Sequence, residues 1–304
     1  MMIHCIDVPK KSIPISRVIG GGALLGIALL AGTIPTEAET LEPVNYQQAV
    51  KLCELEKRDV TESSGLALST KYADRFWTHN DSGDKPRLFA FDRQGRHLGT
   101  SHVAGADAVD WEDMAAATID GQPYLIVGDV GDNGKRRKKC TIYLILEPDN
   151  PKKDAKVWRQ IDFSFDPPVD CEAMAFVPDT REILLFEKKL GLNCQVFSLP
   201  LDKSESQLVA QHIATVPIPL ATAADVSRDG ARLIVATYGQ SYLYERENGD
   251  TWPRRLRRQG RVVPTPVRRQ GETICFGEDS KTLFYTSEKQ PTPLFEMRPV
   301  APAN

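Results

Sequence analysis

Five carboxylates, Glu62, Glu112, Glu172, Asp225 and Glu272, recur at separations of 50, 60, 53 and 47 residues, each beside a short apolar run. Acids gathered in one place raise one another's pKa until protons or a cation offset their charge. Oxygen donors arriving from several directions suit Ca²⁺, which accepts about six to eight of them at roughly 2.3 to 2.6 Å. The five acids are therefore predicted to ligate a central calcium ion. Two alternatives stand beside this: each acid caps its own turn through backbone amides, or Lys and Arg side chains supply the compensating charge.

Polar loops follow the acids: His79-Asn80-Asp81-Ser82-Gly83-Asp84, Asp129-Val130-Gly131-Asp132-Asn133-Gly134, Glu187-Lys188-Lys189, Tyr238-Gly239-Gln240 and Ser287-Glu288-Lys289. His79, Asn80, Asp81, Asp129, Asp132, Asn133, Lys188, Lys189 and Lys289 are predicted to line a ligand site, because a divalent cation beside basic groups binds phosphate or carboxylate anions. His79 is also a candidate general base, although a lone His at a strand end commonly only makes a hydrogen bond. Lys135, Arg136, Arg137, Lys138 and Lys139 add basic charge to the second loop, or form a solvated charge run. Asp129 onward looks like an EF-hand loop but fails as one, with Gly131 third and Cys140 twelfth, where carboxylates belong. No Gly-x-Ser-x-Gly elbow and no phosphate-cradling Gly-x-x-x-x-Gly-Lys loop occurs.

The elements that must carry these residues are short strands. Unit lengths near 50 residues match a four-stranded propeller blade, and blades are predicted to begin near residues 62, 110, 170, 223 and 271. In such a fold the first strand of each blade lines a central channel, so the acids converge at one rim. The fifth unit is one strand short, while Val50-Lys51-Leu52-Cys53-Glu54-Leu55 alternates as an isolated half-buried strand. The prediction is an all-β, five-bladed β-propeller spanning 39–304, in which strand 50–55 completes the last blade and no sheet edge is left open. Residues 39–50 read as a flexible lead-in. The stretch after 245, with Arg254, Arg255, Arg257, Arg258, Arg261, Arg268 and Arg269, reads as an irregular outer edge, solvated or attached to an anionic envelope polymer.

Composition sets the remaining bounds. With 41% hydrophobic residues, 26% charged and net charge −3, nothing in the balance favours nucleic acid. Residues 1–38 read as a signal peptide: Lys10, Lys11 and Arg17 precede an uncharged run from Val18 to Ala31, then Thr36-Glu37-Ala38. That run is short for a membrane span of about 20 residues. The expectation is export to the periplasm or beyond the cell, with membrane attachment only if the leader is retained. Cys53, Cys140, Cys171, Cys194 and Cys275 contain no C-x-x-C pair, so zinc is disfavoured; they read as buried small residues, with one or two disulfides as the alternative.

Trp77-Thr78-His79-Asn80-Asp81-Ser82-Gly83, Asp110-Trp111-Glu112-Asp113-Met114-Ala115 and Gly128-Asp129-Val130-Gly131-Asp132-Asn133 together resemble a group of exported bacterial propeller proteins of unassigned activity. More distantly, Glu172-Ala173-Met174-Ala175-Phe176 and Thr286-Ser287-Glu288 look like the SdiA-regulated and phytase-like esterase propellers, and the five-blade plan is similar to the calcium-activated apyrases. The apyrase resemblance implies calcium in the channel, with Glu62, Glu112, Glu172, Asp225 and Glu272 as channel acids and Ser63 or Ser64 nearby. Asp225 departs from the pattern, standing where the other units have Glu, and nothing matches a nucleotide-base pocket. The expected function is an exported propeller with calcium in its channel that binds an anionic ligand on its loop-rich face. One alternative is calcium-dependent hydrolysis of a phosphoester or phosphoanhydride, with His79, Asp81 or Asp132 handling a proton; another is a non-catalytic interaction scaffold.

Overall fold

The computed structural model describes residues 43–203, 208–247 and 249–301, so the leader expected at 1–38 lies outside the described residues. After β1 (Val50–Glu54) the chain forms antiparallel meanders. The first is β2 (Ser63–Leu68), β3 (Arg75–Asn80), β4 (Arg87–Asp92) and β5 (His97–Ala104). The second is β6 (Trp111–Ile119), β7 (Gln122–Asp129), β8 (Cys140–Leu146) and β9 (Ala155–Ser164). Next come β10 (Cys171–Val177), β11 (Glu182–Glu187), β12 (Cys194–Pro200), the two-residue β13 (Leu208–Val209) and β14 (Gln211–Val216). A further meander is β15 (Ala221–Val226), β16 (Arg232–Thr237) and β17 (Gln240–Glu245), then a short helix α1 (Trp252–Arg255) and β18 (Arg261–Pro264). The last strands are β19 (Cys275–Phe276), β20 (Leu283–Tyr285) and β21 (Pro293–Met297).

The architecture is all-β and propeller-like. The first two meanders join where β5 and β9 run parallel, Val103 opposite Ala155, giving one sheet in the order β2-β3-β4-β5-β9-β8-β7-β6, with β13 paired to β9. This path is nearly closed on itself, since its ends β2 and β6 lie side by side and Ser64 Oγ donates to the Glu112 carbonyl at 2.7 Å. Strands β10-β11-β12-β14 and β15-β16-β17-β18 form two more sheets, and β19-β20-β21-β1 a fourth, with Val50 of β1 opposite Glu296 of β21.

Burial explains which strands lie inside. β2 and β10 are buried along their whole length, built from small and apolar residues that can be covered on both faces, whereas β9 alternates buried and exposed positions as a strand wetted on one side must. Apolar clusters are shared between neighbouring meanders: Trp77 and Leu88 pack with Leu125 and Tyr143, Ile126 and Ile142 with Leu185 and Phe197, Leu184 and Val196 with Val235 and Tyr244. Ile234 and Leu243 pack with Leu283 and Tyr285, and Phe76 and Phe91 with Phe284 and Leu294. Phe76 stacks on Phe91 at 5.4 Å and meets Phe284 edge-on at 4.9 Å, so the first and last strand sets share one aromatic core.

Two sequence expectations need correction. Residues 43–49 are not a loose lead-in: Val44 is buried, its amide donates to Glu245 Oε1 at 3.1 Å, and Gln47 N donates to the Arg298 carbonyl at 2.9 Å. The segment is held by residues some 200 to 250 positions away, a pairing no local pattern can reveal. The Arg-rich stretch does lie at an outer edge, with β18 last in its sheet and Arg254, Arg257, Arg258 and Arg269 exposed, but it is not solvated throughout. Thr251 caps α1, Trp252 is buried beneath the Arg246 guanidinium at 4.7 Å, and Arg255 lies over Tyr244 at 5.1 Å while its Nε donates to the Glu245 carbonyl at 2.6 Å. Arg268 Nη1 reaches the carbonyls of Thr273 and Thr286, at 3.1 and 3.2 Å, beside the acids rather than far from them. Arginine packs its stem and its flat head against aromatic faces, so a basic run need not be a wet one.

The five cysteines among the described residues are unpaired, four of them buried. No helix there is long and apolar enough to cross a membrane.

Candidate functional site

The sheets enter their inner strands through a common device. Pairing slips by one residue between Ser63 and Gly65, Trp111 and Asp113, Cys171 and Ala173, and Ala221 and Ala223. A bulge re-aims the extra side chain, and the extra residues are Ser64, Glu112, Glu172 and Thr222. Just ahead of the bulge a second repeated contact sets the register: the amides of Asp81, Val130, Lys188 and Glu288 donate to the carbonyls of Glu62, Asp110, Asp170 and Gln270 at 2.8 to 3.1 Å. Asp110, Asp170 and Gln270 thus share a level with Glu62, while Glu272 stands two residues further on, with Glu112 and Glu172.

This register rearranges the predicted metal set. Glu112, Glu172 and Glu272 do share a level. Glu62 lies two residues outside it, half-exposed, with Lys289 Nζ 3.7 Å from its carboxylate. Asp225 lies three residues beyond the bulge of its own strand, where Oδ2 accepts the Phe276 amide at 2.8 Å and burial pushes its pKa up to about 7. The structure does not bring Asp225 to the other acids; Thr222 occupies the corresponding place. The apparent five-fold register failed because a bulge shifts the count by an amount that spacing alone does not carry.

Three groups at this end are internally compensated. Lys188 Nζ contacts Glu172 Oε2 at 2.5 Å and lies 5.4 Å from the centre of the Tyr238 ring. Burial works against the Lys188 charge, but the Glu172 carboxylate outweighs it and raises the ammonium pKa; burial likewise raises Glu172, to about 7, against the pull of Lys188. Glu272 Oε1 accepts from Tyr238 Oη at 2.7 Å and from Gln270 Nε2 at 3.0 Å. Although burial opposes it, hydrogen bonds from Glu288, Gln270 and Tyr238 lower the Glu272 pKa, and Glu288 is raised to about 9 by burial and by the proton it shares with Glu272. Lys289 Nζ approaches Glu288 at 3.5 Å.

Asp81, Asp110 and Glu112 are not compensated in this way. One oxygen from each lies within 4.8 Å of the others, and a second such trio is Asp81, Glu272 and Glu288. Asp81 accepts only its neighbour's amide, Ser82 N, at 2.5 Å. Among the described residues the Asp110 and Glu112 carboxylates accept no hydrogen bond, and Glu112 is 3% exposed. Burial first, then Glu172, Asp81 and Asp110, push Glu112 well above the ordinary carboxylate range; burial and Asp81 push Asp110 up to about 6. Burial, Glu272 and Glu62 raise Asp81. The chain leaves room for these oxygens: a methyl at Gly131 would collide with Glu112 Oε1 and stand 2.6 Å from Asp110 Cγ. Glycine there is what admits the carboxylates.

Most of the predicted ligand residues serve the scaffold. His79 is fully buried over Gly65, 5.5 Å from Trp111, with Nδ1 3.0 Å from the Asn80 carbonyl, and burial lowers its pKa to about 4. Asn80 Oδ1 accepts the amides of Thr61 and Glu62, and Asp129 accepts those of Val109 and Asp110, one device used twice. Asp129 is further held by Arg137 at 2.7 Å, and Asp132 Oδ2 accepts the Arg137 amide at 2.6 Å. Asn133 is exposed and Lys189 half-exposed at the periphery. Of the nine, Asp81, Lys188 and Lys289 reach the acids. Reading the sequence missed Asp110, Asp170, Gln270, Tyr238 and Glu288 as site residues. A signal for two of them was present, because Asp110-Trp111-Glu112 and Asp170-Cys171-Glu172 repeat Asp-x-Glu sixty residues apart.

No family model matches the chain, and no curated protein matches it. Among solved structures it is similar to a Bacteroides uniformis protein provisionally named a 6-phosphogluconolactonase, at 16% identity and a TM-score of 0.40, over 80% of this chain and 68% of that one. A likeness of that degree carries no argument about chemistry.

Proposed function

We propose that the chain is a five-bladed propeller closed by β1, that its channel mouth holds a calcium ion between Asp81, Asp110 and Glu112, and that the ion and Lys188 together bind an anionic ligand. The five apolar clusters, each shared by two neighbouring strand sets, support the ring, and the β1–β21 pairing supports its closure. A single observation carries the site: three converging carboxylates, one of them almost wholly buried, have no side-chain hydrogen-bond donor among the described residues, while their neighbours do, Lys188 for Glu172 and Tyr238 and Gln270 for Glu272. Carboxylates held this close raise one another's pKa until a proton or a cation offsets their charge. An oxygen-only donor set favours calcium over transition metals.

Binding is favoured over hydrolysis because, of the three residues expected to handle a proton, His79 is sealed beneath Trp111, Asp132 accepts the Arg137 amide and Asp81 belongs to the trio that would hold the ion. The leader expected at 1–38 accords with an exported protein, which meets calcium outside the cytoplasm. The test is calorimetric titration of chelator-treated protein with Ca²⁺, then with inorganic phosphate in the presence and absence of the metal. Calcium binding that Asp110→Asn weakens by at least about tenfold, worth roughly 1.4 kcal/mol, together with calcium-dependent phosphate binding, supports the proposal. Undetectable calcium binding by the wild-type protein rejects it.

A further inference from the structure

We infer that the loop face around the acids docks on an anionic lipid surface. The β11–β12 loop turns sharply at Gly191, φ +106°, and puts Leu190 and Leu192 on either side of that turn, 82% and 67% exposed. Val109, ahead of β6, and Val267, on the loop leading to Gln270, are 60% and 98% exposed at the same end of the molecule. Water is a poor solvent for such tips, yet they sit on separate loops divided by charged residues. They therefore make no continuous apolar patch of the kind a protein partner covers. A bilayer interface needs no shape match and accepts separate aliphatic tips, provided basic groups lie beside them.

Those basic groups are present. Lys135 Nζ bonds Glu187 Oε1 at 2.9 Å and so ties the β7–β8 loop against the base of the Leu190 loop. Arg136 and Lys138 on that loop, and Lys189 beside Leu190, have no carboxylate within ion-pair distance among the described residues, in contrast to Lys135, Arg137, Lys139 and Lys188, which each have one. Glu112, Glu172, Glu272 and Glu288 are recessed and nearly fully buried, the half-exposed Glu62 faces Lys289, and Asp81, Asp107 and Asp110 are the acids left to offset part of this charge. A surface approaching this end meets aliphatic tips and unpaired cations first.

The inference stands on the loop tips and is independent of the calcium site. The test is co-sedimentation of the whole protein with vesicles of phosphatidylcholine alone, and of phosphatidylcholine and phosphatidylserine at about three to one, each in chelator and in calcium. Three unpaired cations are expected to favour the anionic vesicles by about a hundredfold. Leu190→Asp with Leu192→Asp should abolish sedimentation, and Arg136→Glu with Lys138→Glu and Lys189→Glu should remove the preference for phosphatidylserine. All five positions are at the surface, so the melting temperature checks that each variant folds. Absence of sedimentation with either vesicle overturns the inference. So does sedimentation that survives the leucine changes, which is charge adsorption alone, or sedimentation that requires calcium, which is bridging by the ion.

Discussion

Glu112→Gln separates a metal ligand from a structural acid by the sign of its effect. Calcium binding only the folded protein stabilises it by RT ln(1 + [L]/Kd), about 2.7 kcal/mol at a hundredfold excess over Kd. For a domain of this size that corresponds to roughly 5 to 10 °C in melting temperature. The variant keeps the shape of the side chain but removes the negative charge from the buried group that faces Asp81, Asp110 and Glu172. The calcium-induced shift should then fall to within about a degree of zero. In chelator the same change relieves charge crowding, which raises the wild-type Glu112 pKa, so the variant should melt at or above the wild-type temperature. Differential scanning fluorimetry near pH 8 reads both arms. Equal destabilisation in calcium and in chelator would refute the reasoning, and would mean that Glu112 is an ordinary hydrogen-bonding residue.

Other perturbations test neighbouring parts of the argument. Gly131→Ala should displace Glu112 and Asp110 and abolish the calcium shift while the circular dichroism spectrum stays unchanged; a retained shift means that the cradle is not needed. Lys188→Met strands Glu172 and should cost about 3 kcal/mol or more, and adding Glu172→Gln should recover most of it; urea denaturation of the wild type and the two variants measures both steps. In chelator, melting temperature should fall as pH rises from about 5 to about 9. Asp110, Glu172 and Glu288 have folded pKa values raised to about 6, 7 and 9, so their contribution is complete below the ordinary carboxylate range and is lost as pH climbs through those values. A flat or rising profile contradicts that order. Deleting residues 39–56 should expose β21 and drive aggregation, visible by light scattering; a monodisperse product contradicts closure by β1.

The sequence by itself determined the strand content, the recurrence of inner strands near every 50 residues, and the presence of Glu112, Glu172 and Glu272 at matching places. Those features are local: alternation, turn residues and apolar runs are written in consecutive positions. The Asp-x-Glu pairs at 110–112 and 170–172 were legible on the same terms, since both carboxylates of each pair lie on one strand entry. Tertiary structure decided the rest. Glu62 and Asp225 fit the spacing but not the register, because where a bulge falls depends on the pairing partner across the sheet, and the bulge positions of their own strands hold Ser64 and Thr222. His79 looked like a base in a polar loop; only packing against Trp111 and Gly65 shows that it is sealed from solvent. Lys188 and Lys189 are indistinguishable as neighbours in the chain, yet the turn after β11 directs the first onto Glu172 and leaves the second at the rim. Side chains that compensate charge are chosen by distances of a few ångströms between residues 16 to 34 positions apart, as with Lys188 and Glu172 or Tyr238 and Glu272, and no one-dimensional pattern carries those distances.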